Sequence, residues 1–283
     1  MITALGQASH EFHQLVATVR PELHRYCARL TGSIIDGEDI VQEALARAFY
    51  ALSMRTDVPP LRPWLFRIAH NAAIDHLRRR QREPLSDDDA VELADVGPDP
   101  ETTRRALGGF LVLPVRQRSA VILKDVLGLS LDEIAEAIDS TVPAVKAALV
   151  RGRTALRAQA VAPAEAPAAI ASSDERALLA RYVALFNARD WPALQQLLAD
   201  DVRLEVIAQA RREGRAVGEY FGRYSKITGL RAEVGEVEGR LAMLVFAPVD
   251  RPRPSYFVLF AWRDGQVTSI RDYRHVGYVA DEL

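Results

Sequence analysis

The strongest chemical signal in the sequence is a basic helix that follows a short turn, between Leu131 and Arg157. Ser130 and Glu133 have the S-x-x-E spacing of a capping box, which predicts a helix start at Leu131. A second helix is predicted after a turn at residues 139–141, and every charged residue in it is basic. Such a helix can place its N-terminal side chains on base edges and its arginines on phosphates. From these residues alone, a helical hairpin with a solvated basic face remains the alternative.

Composition limits the other kinds of chemistry. The chain of 283 residues carries a net charge of only -2, yet Arg62 to Arg82 is strongly basic and the segment 83–101 is strongly acidic. Cys27 is the single cysteine, which excludes an internal disulfide framework and a cysteine zinc cluster. The six histidines show no metal-ligand spacing, and no apolar run is long enough for a membrane span. We therefore expect a cytoplasmic protein with no cofactor, no metal and no membrane partner.

The elements that must position these residues follow from apolar periodicity. Residues 11–82 read as a helical domain with successive apolar stripes. One stripe, in the helix predicted from Asp36, extends from Ile40 to Phe49, and a further helix covers PWLFRIAHNAAIDHLRRR at 63–80. The length favours two or three domains rather than one.

The pattern changes after a linker rich in alanine and proline. Ser172 and Glu175 can cap a helix that carries Tyr182 on its apolar side, and Asp190 can cap the next one. Strand patterns then alternate with turns up to 276, including the hairpin signal Asp264-Gly265. Helices followed by an antiparallel meander predict an α+β domain.

The N-terminal half resembles the extracytoplasmic-function (ECF) sigma factors of bacteria, the promoter-specificity subunits of RNA polymerase. Three segments carry the resemblance in the family's order: DGEDIVQEALARAF, PWLFRIAHNAAIDHLRRR, and the helix-turn-helix region that begins at LPVRQRSAV. The first is similar to the family's polymerase-binding helix, the second to its minus-ten reader and the third to its minus-thirty-five reader. The resemblance covers roughly the first 160 residues, with an acidic connector between the second and third segments.

The resemblance implies site residues for each part. Opened promoter DNA presents unpaired bases, which aromatic and amide side chains beside arginines can hold. The implied minus-ten contacts are Trp64, Arg67, Asn71, His76, Arg78, Arg79 and Arg80. A core aromatic is the alternative for Trp64, and a solvated helix end is the alternative for the three consecutive arginines.

The implied minus-thirty-five contacts are Ser140, Thr141, Ala144, Lys146, Ala147, Arg151 and Arg153. The implied contacts to core polymerase are Asp36, Asp39, Gln42, Glu43 and Arg47, for which a solvated amphipathic face is the alternative. This chain departs from the family pattern where Lys146 is followed by Ala147, Ala148 and Leu149. Fewer bidentate base contacts are then available, so we predict reading through shape and phosphates, with Lys146 as the main direct contact.

The C-terminal part resembles the SnoaL-like polyketide-cyclase and ketosteroid-isomerase superfamily, in which a cone of sheet and helices surrounds a cavity. The segments LFNARDWPALQQLLADDV and VTSIRDYRHVGYV carry this resemblance. The implied cavity residues are Tyr182, Trp191, Asp272 and His275. An acid–base pair of Asp272 and His275 is disfavoured, because residues three apart in a strand point to opposite faces. Trp191 fits a core anchor better than a ligand contact.

The predicted fold is thus multi-domain: two all-α sigma domains and a C-terminal α+β cone-shaped barrel. The predicted boundaries are 1–83, an acidic linker at 84–102, 103–159, an alanine-proline linker at 160–173, and 174–283. The predicted function is a sigma factor that binds core RNA polymerase and promoter DNA. Its cone domain would regulate activity and could bind a small ligand. The alternative is a cone-fold enzyme or ligand binder that a sigma-like module tethers to polymerase or DNA.

Overall fold

The computed structural model describes residues 2–54, 59–82, 107, 109–159, 173–213 and 218–283. The described residues form two compact units, one helical unit up to residue 159 and one C-terminal unit from residue 173. The expected fold class of helical domains followed by an α+β domain is confirmed. Among the described helices, none has the length and apolar character that crossing a membrane requires.

Three long helices begin the helical unit: α1 (Ile2–Thr31), α2 (Ile34–Ser53) and α3 (Leu61–Arg82). The predicted start of α2 was two residues late, because the Ser33 hydroxyl accepts the N–H of Asp36 at 3.0 Å and caps the helix earlier. Apolar residues at helical spacing on all three helices meet in one core.

The remaining helices of this unit pack on the same core. They are α4 (Val115–Val121), which continues as a π-helical turn (Ile122–Val126), α5 (Leu131–Ala137) and α6 (Val142–Gln159). The core therefore joins residues from α1, such as Leu23 and Leu30, to Ile134 of α5 and Val145 of α6. The two regions that the sequence treats as separate domains share a single apolar cluster.

The described residues of the C-terminal unit form three α-helices, six strands and one 3₁₀ helix. Its elements are α7 (Ser173–Ala188), α8 (Trp191–Gln196), β1 (Leu198–Val206), β2 (Ala210–Glu213), α9 (Gly218–Tyr224), β3 (Arg231–Val237), β4 (Arg240–Phe246), β5 (Tyr256–Arg263), β6 (Gln266–Asp272) and a 3₁₀ helix (Gly277–Glu282). The predicted cap Ser172 lies outside the described residues, whereas Asp190 caps α8 by accepting the N–H of Ala193.

The sheet has the strand order β2-β1-β6-β5-β4-β3. Strands β3 to β6 form the predicted antiparallel meander, and Asp264-Gly265 joins β5 to β6 with positive φ at both residues. β1 pairs with β6 in parallel, a pairing that the sequence analysis did not address. The last strand was predicted too long. It ends at Asp272, whose carboxylate accepts the N–H of Arg274 and turns the chain.

Candidate functional site

The helix-turn-helix is held by caps at both of its helix starts. The Ser130 hydroxyl accepts the N–H of Glu133 at 3.2 Å, and the Glu133 carboxylate accepts the N–H of Ser130 at 2.8 Å. These hydrogen bonds from Ser130 lower the pKa of Glu133. Asp139 turns the chain with φ 49°, and the Thr141 hydroxyl then accepts the N–H of Ala144 at 3.4 Å. The predicted capping box is confirmed, and Val142 and Val145 pack the start of α6 on the core.

The start of α6 presents one long side chain to solvent. Of the predicted minus-thirty-five contacts, the exposed ones are Ser140, Thr141, Ala144, Lys146, Arg151 and Arg153, and Ala147 is half-buried. Ala148 and Leu149 belong to the core. The unusual run after Lys146 is therefore explained at two of its three positions by packing, since those side chains face inward.

Arg153 has a partner that the sequence did not suggest. Its guanidinium donates two hydrogen bonds to Asp125, at 2.9 Å from Nε and 2.5 Å from Nη2, and this contact raises the pKa of Arg153. The bidentate pair ties α6 to the π-helical turn. Contact between Arg153 and a phosphate stays a prediction, and it would require this pair to exchange partners.

The arginines at the end of α3 lie beside acids. The pairs are Arg80 with Asp36 at 3.1 Å, Arg79 with Glu43 at 3.6 Å and Arg78 with Asp75 at 4.0 Å. His76 also approaches Asp36, with Nε2 3.5 Å from Oδ2. Exposed ion pairs of this kind contribute roughly 1 kcal/mol or less each, so phosphates can displace them. These predicted minus-ten residues thus pair with two of the predicted polymerase contacts, Asp36 and Glu43, and with Asp75.

The first turns of α3 carry the remaining minus-ten candidates. Arg67 and Asn71 are exposed and one turn apart, so both side chains can reach the same strand of DNA. Trp64 is half-buried and packs against the core of the unit. This packing supports the core-aromatic interpretation of Trp64, and its contact with DNA stays a prediction.

The predicted polymerase contacts on α2 differ in exposure. Asp39 and Arg47 are exposed, whereas Gln42 and Glu43 are half-buried. Arg47 donates to Glu43 at 2.5 Å and lies 3.7 Å from Asp75. The acidic residues of α2 thus all lie in its first half. Arg47 follows them and is the last charged residue before the helix ends.

The C-terminal half of α2 shows apolar side chains that sequence reasoning missed. Phe49 was predicted to belong to the core face, but it is 51% exposed because the core of α2 ends at Ala48. Tyr50 and Met54 are 66% and 67% exposed. A signal was available in the sequence, since both residues continue the helical stripe of Glu43 and Arg47, which is polar.

The C-terminal unit holds a buried carboxyl group, that of Asp272, close to tyrosine side chains. Asp272 is fully buried, accepts the Tyr224 hydroxyl at 2.9 Å and the N–H of Arg274 at 2.9 Å, and lies 3.7 Å from the Arg274 guanidinium. Burial raises the pKa of Asp272, and the positive charge of Arg274 opposes that shift. Burial raises the pKa values of Tyr182 and Tyr220, and the charge of Asp272 adds to both shifts.

The other cavity candidates do not complete an acid–base site. His275 is exposed, and its Nε2 accepts a hydrogen bond from Arg274 rather than meeting the Asp272 carboxylate. Trp191 packs edge to face on Phe186, with the ring centroids 5.7 Å apart, as a core anchor does. The structure therefore brings Tyr182 near Asp272 and leaves His275 and Trp191 elsewhere. In the described ranges, no three His, Cys, Asp or Glu side chains are placed to hold a metal ion.

Comparison with known families matches three segments. Sigma-70 region 2 matches residues 15–83, Sigma-70 region 4 matches residues 111–156, and the SnoaL-like domain matches residues 179–270. The first segment contains the basic helix α3, the second contains most of the basic helix α6, and the third contains most of the C-terminal unit.

Two relatives illustrate the similarity. The ECF RNA polymerase sigma factor SigG of Mycobacterium tuberculosis is 35% identical over 217 residues, which cover 66% of this chain but only 59% of the relative. The ECF RNA polymerase sigma factor SigW of Bacillus subtilis is 30% identical over 164 residues, which cover 52% of this chain and 88% of the relative. Among solved structures, the Mycobacterium tuberculosis factor SigJ covers 92% of this chain and 96% of its own, at 20% identity and a TM-score of 0.36.

Proposed function

The chain belongs to the family of ECF RNA polymerase sigma factors and carries a SnoaL-like domain, and we propose that it binds core RNA polymerase and directs transcription from specific promoters. The observation that supports this most is the presence of two basic helices in one unit. The second, α6, exposes Lys146 and Arg151 behind a capped turn, and the first, α3, exposes Arg67 and Asn71. These arrangements suit duplex and unpaired DNA respectively.

The residues on α2 would contact the polymerase. Asp39 is exposed on its acidic half, and Glu43 is half-buried between arginines of α2 and α3. Polymerase binding to Glu43 would free Arg79 for a phosphate, and binding to Asp36 would free Arg80. In this proposal, assembly with polymerase and minus-ten binding support each other. Each of them breaks the ion pairs between α2 and α3, so the one that occurs first lowers the cost of the other.

The C-terminal domain, in this proposal, regulates the factor and is not an enzyme. His275 does not meet Asp272, and the partners of Asp272 within the unit are an arginine and tyrosines. Burial raises the pKa values of the neighbouring Tyr182 and Tyr220, so neither hydroxyl is matched to exchange a proton with Asp272 near neutral pH. A small ligand in this domain could change its control of the sigma domains.

One observation favours the alternative of a tethered enzyme or ligand binder. Burial raises the pKa of Asp272, and a buried carboxyl among tyrosine hydroxyls is a setting in which proton chemistry occurs. Turnover of small carbonyl or lactone compounds by the chain, abolished by Asp272→Asn, would support that alternative.

Promoter-directed transcription with bacterial core polymerase tests the proposal. The template carries the upstream region of the gene itself, and the full chain is compared with a version that ends at Gln159. Transcripts from both at different levels would support sigma function and give the sign of the control by the C-terminal domain. Equal transcription by both would contradict the regulatory role. No transcript and no binding to core polymerase would contradict the sigma function itself.

A further inference from the structure

The C-terminal unit carries acidic and basic side chains at opposite ends of its sheet. Asp200, Asp201 and Asp264 are exposed where β1 begins and where β5 turns into β6, and Arg263 pairs with Asp201 there at 2.8 Å. At the other end, β4 and β6 finish while β3 and β5 begin, and most of the charged residues in the two segments that close this end are basic. A unit with this polarity attracts an anion to one end and repels it at the other.

Two neighbouring segments supply the basic residues. One is 222–231, which leads from α9 into β3, and the other is the loop 247–255 between β4 and β5. Nε of Arg231 donates to the carbonyl of Val249 at 3.0 Å and joins the two segments, while its guanidinium also pairs with Glu233. The charged residues of the two segments are Arg223, Lys226, Arg231, Asp250, Arg251 and Arg253. Only one of them is acidic, so we call the two segments the basic end.

The end of α9 lies at the same end of the sheet as the loop. The Tyr224 hydroxyl donates to Asp272 at 2.9 Å, and Asp272 is the last residue of β6. In the register of the sheet, Asp272 lies opposite Val258, two residues after the start of β5. Arg223 and Lys226, which flank Tyr224 in the sequence, are therefore close to the point where the loop enters β5.

Hydrogen bonds hold the loop 247–255 in a defined conformation. The Ser255 hydroxyl donates to the carbonyl of Ala247 at 2.9 Å and accepts the N–H of Ala247 at 3.0 Å, which closes the base of the loop. The N–H of Arg251 donates to the carbonyl of Pro248 at 3.1 Å and forms a turn. Prolines at 248, 252 and 254 fix the φ angles at those positions. The loop therefore loses little conformational entropy when it binds a partner.

Most cations of the basic end are available to a ligand. Arg251 lies 3.6 Å from Asp281, but both side chains are exposed, so a phosphate can take the place of the carboxylate. The exposed side chains that have no carboxylate partner among the described residues are Arg223, Lys226 and Arg253.

We propose that the basic end binds the phosphates of duplex DNA next to the element bound by α6, on the side away from the minus-ten element, a proposal that rests on the proposed sigma function. Arginine suits phosphate because its guanidinium can donate two parallel hydrogen bonds. The Cα atoms of Arg251 and Arg253 are at most about 7 Å apart, so their guanidinium groups can contact neighbouring phosphates of one strand. The residues 160–172 between α6 and α7 span at most about 50 Å, so the C-terminal unit can reach DNA held by α6.

Binding of promoter fragments by the full chain assembled with core polymerase tests this proposal. One fragment ends at the upstream edge of the minus-thirty-five element, and the other continues for about 30 further base pairs, ~100 Å of duplex. On the long fragment, Arg251→Ala combined with Arg253→Ala should weaken binding by about 3- to 30-fold and lower the slope of log K against log salt by about 2, because two phosphate contacts are lost. On the short fragment, the same variant should bind as the unmodified chain does.

Arg181→Ala is the matched control. Arg181 of α7 is also an exposed arginine without a carboxylate partner in the part of the chain that the structure describes, and it lies outside the basic end. Its substitution should leave the binding of both fragments unchanged. Arg251→Lys combined with Arg253→Lys should keep most of the salt dependence, because the positive charges remain.

Three results of this experiment would overturn the proposal. The first is unchanged binding of the long fragment by the double alanine variant. The second is equal weakening on both fragments, which would place the contact on the polymerase. The third is tighter binding of both fragments, which would indicate that the basic end holds the acidic segment 83–101 of the same chain. Failure of the unmodified chain to assemble with core polymerase would instead contradict the proposed function.

Cross-linking identifies the molecule that the loop contacts. Val249 is 48% exposed in the loop, so Val249→Cys can carry a photoreactive label. Cys27 is buried and burial raises the pKa of its thiol, so it reacts slowly with the label. We expect cross-links to the DNA upstream of the minus-thirty-five element in the assembled complex. Cross-links to polymerase subunits alone would overturn the proposal.

Discussion

The two units differ in where their charged side chains lie: the candidate DNA-binding cations of the helical unit are exposed to solvent, whereas the Asp272 carboxyl of the C-terminal unit is buried. In the helical unit, Lys146 and Arg151 stand in solvent, and the paired arginines of α3 are exposed as well. In the C-terminal unit, Asp272 is buried among tyrosines and under Arg274. Exposed cations suit a large polyanion that binds from outside, whereas a buried carboxyl suits either structural support or a small enclosed ligand. The difference predicts that substitutions of the exposed cations in the helical unit weaken DNA binding, whereas substitution of Asp272 in the C-terminal unit lowers stability.

The largest effect is expected from Asp272→Leu. This change leaves Arg274 and the Tyr224 hydroxyl buried without their acceptor, so the unfolding free energy of the C-terminal unit should fall by about 3 kcal/mol. Thermal or denaturant unfolding of the full chain in a Trp64→Phe background measures it, since the remaining fluorescence comes from Trp191 and Trp262 of the C-terminal unit. Exposed His275 provides the control, because His275→Ala should change stability by about 0.5 kcal/mol or less. An unchanged unfolding free energy in Asp272→Leu would contradict a structural role for the carboxyl.

A smaller effect, on DNA alone, is expected from combining Lys146→Ala with Arg151→Ala. Affinity for duplex DNA should fall about tenfold, and the slope of log K against log salt should fall by about 2. Folding should be unaffected, because both side chains are exposed. Lys146→Ala alone sharpens the result. If selectivity is unchanged while affinity falls on all DNA alike, Lys146 contacts phosphate only.

The pKa of Asp272 offers a more direct measure of its environment. Its carboxyl carbon can be titrated by NMR, and we expect a pKa above the ordinary value of about 3.9. Because the pKa is raised in the folded state, the contribution of Asp272 to stability is full below that ordinary value and is lost as the pH rises through the folded pKa.

Substitutions around Asp272 separate the causes of this shift. Arg274→Met should raise the pKa of Asp272 further, since the guanidinium lowers it. His275→Ala should leave it unchanged. A large change with His275→Ala would instead indicate an acid–base pair and would favour the enzyme alternative.

The smallest effect is expected from Arg153→Ala in α6. Its bidentate pair with Asp125 is exposed, so its loss should cost less than about 1 kcal/mol in unfolding free energy. Because Arg153 is already held by Asp125, DNA affinity should fall less than it does with Arg151→Ala. Equal losses in the two variants would show that the pair opens freely on DNA.

Local patterns were sufficient for much of the fold. The capping box at Ser130, the cap at Asp190 and the hairpin at Asp264-Gly265 depend on residues within a few positions of each other, so the sequence specifies them directly. The amphipathic stripes likewise indicated most of the core. Phe49 was misplaced because periodicity identifies a face of a helix but not where along its length the neighbouring helix stops covering it.

The contacts between distant residues could not be read in this way. The Arg153–Asp125 pair, the Arg118 hydrogen bonds to α1 and the parallel pairing of β1 with β6 each join residues at least 28 positions apart. No spacing rule connects such positions, because their proximity depends on how whole elements pack.

The amino-acid sequence by itself determined the helix and strand order, the two basic helices and the family resemblance, since these depend on composition, periodicity and short motifs. Only the tertiary structure decided which cations are paired, which aromatic side chains are exposed and that the two sigma regions share one core. The physical reason is that charge pairing, exposure and closure depend on distances in space, and those distances arise only when the elements pack together.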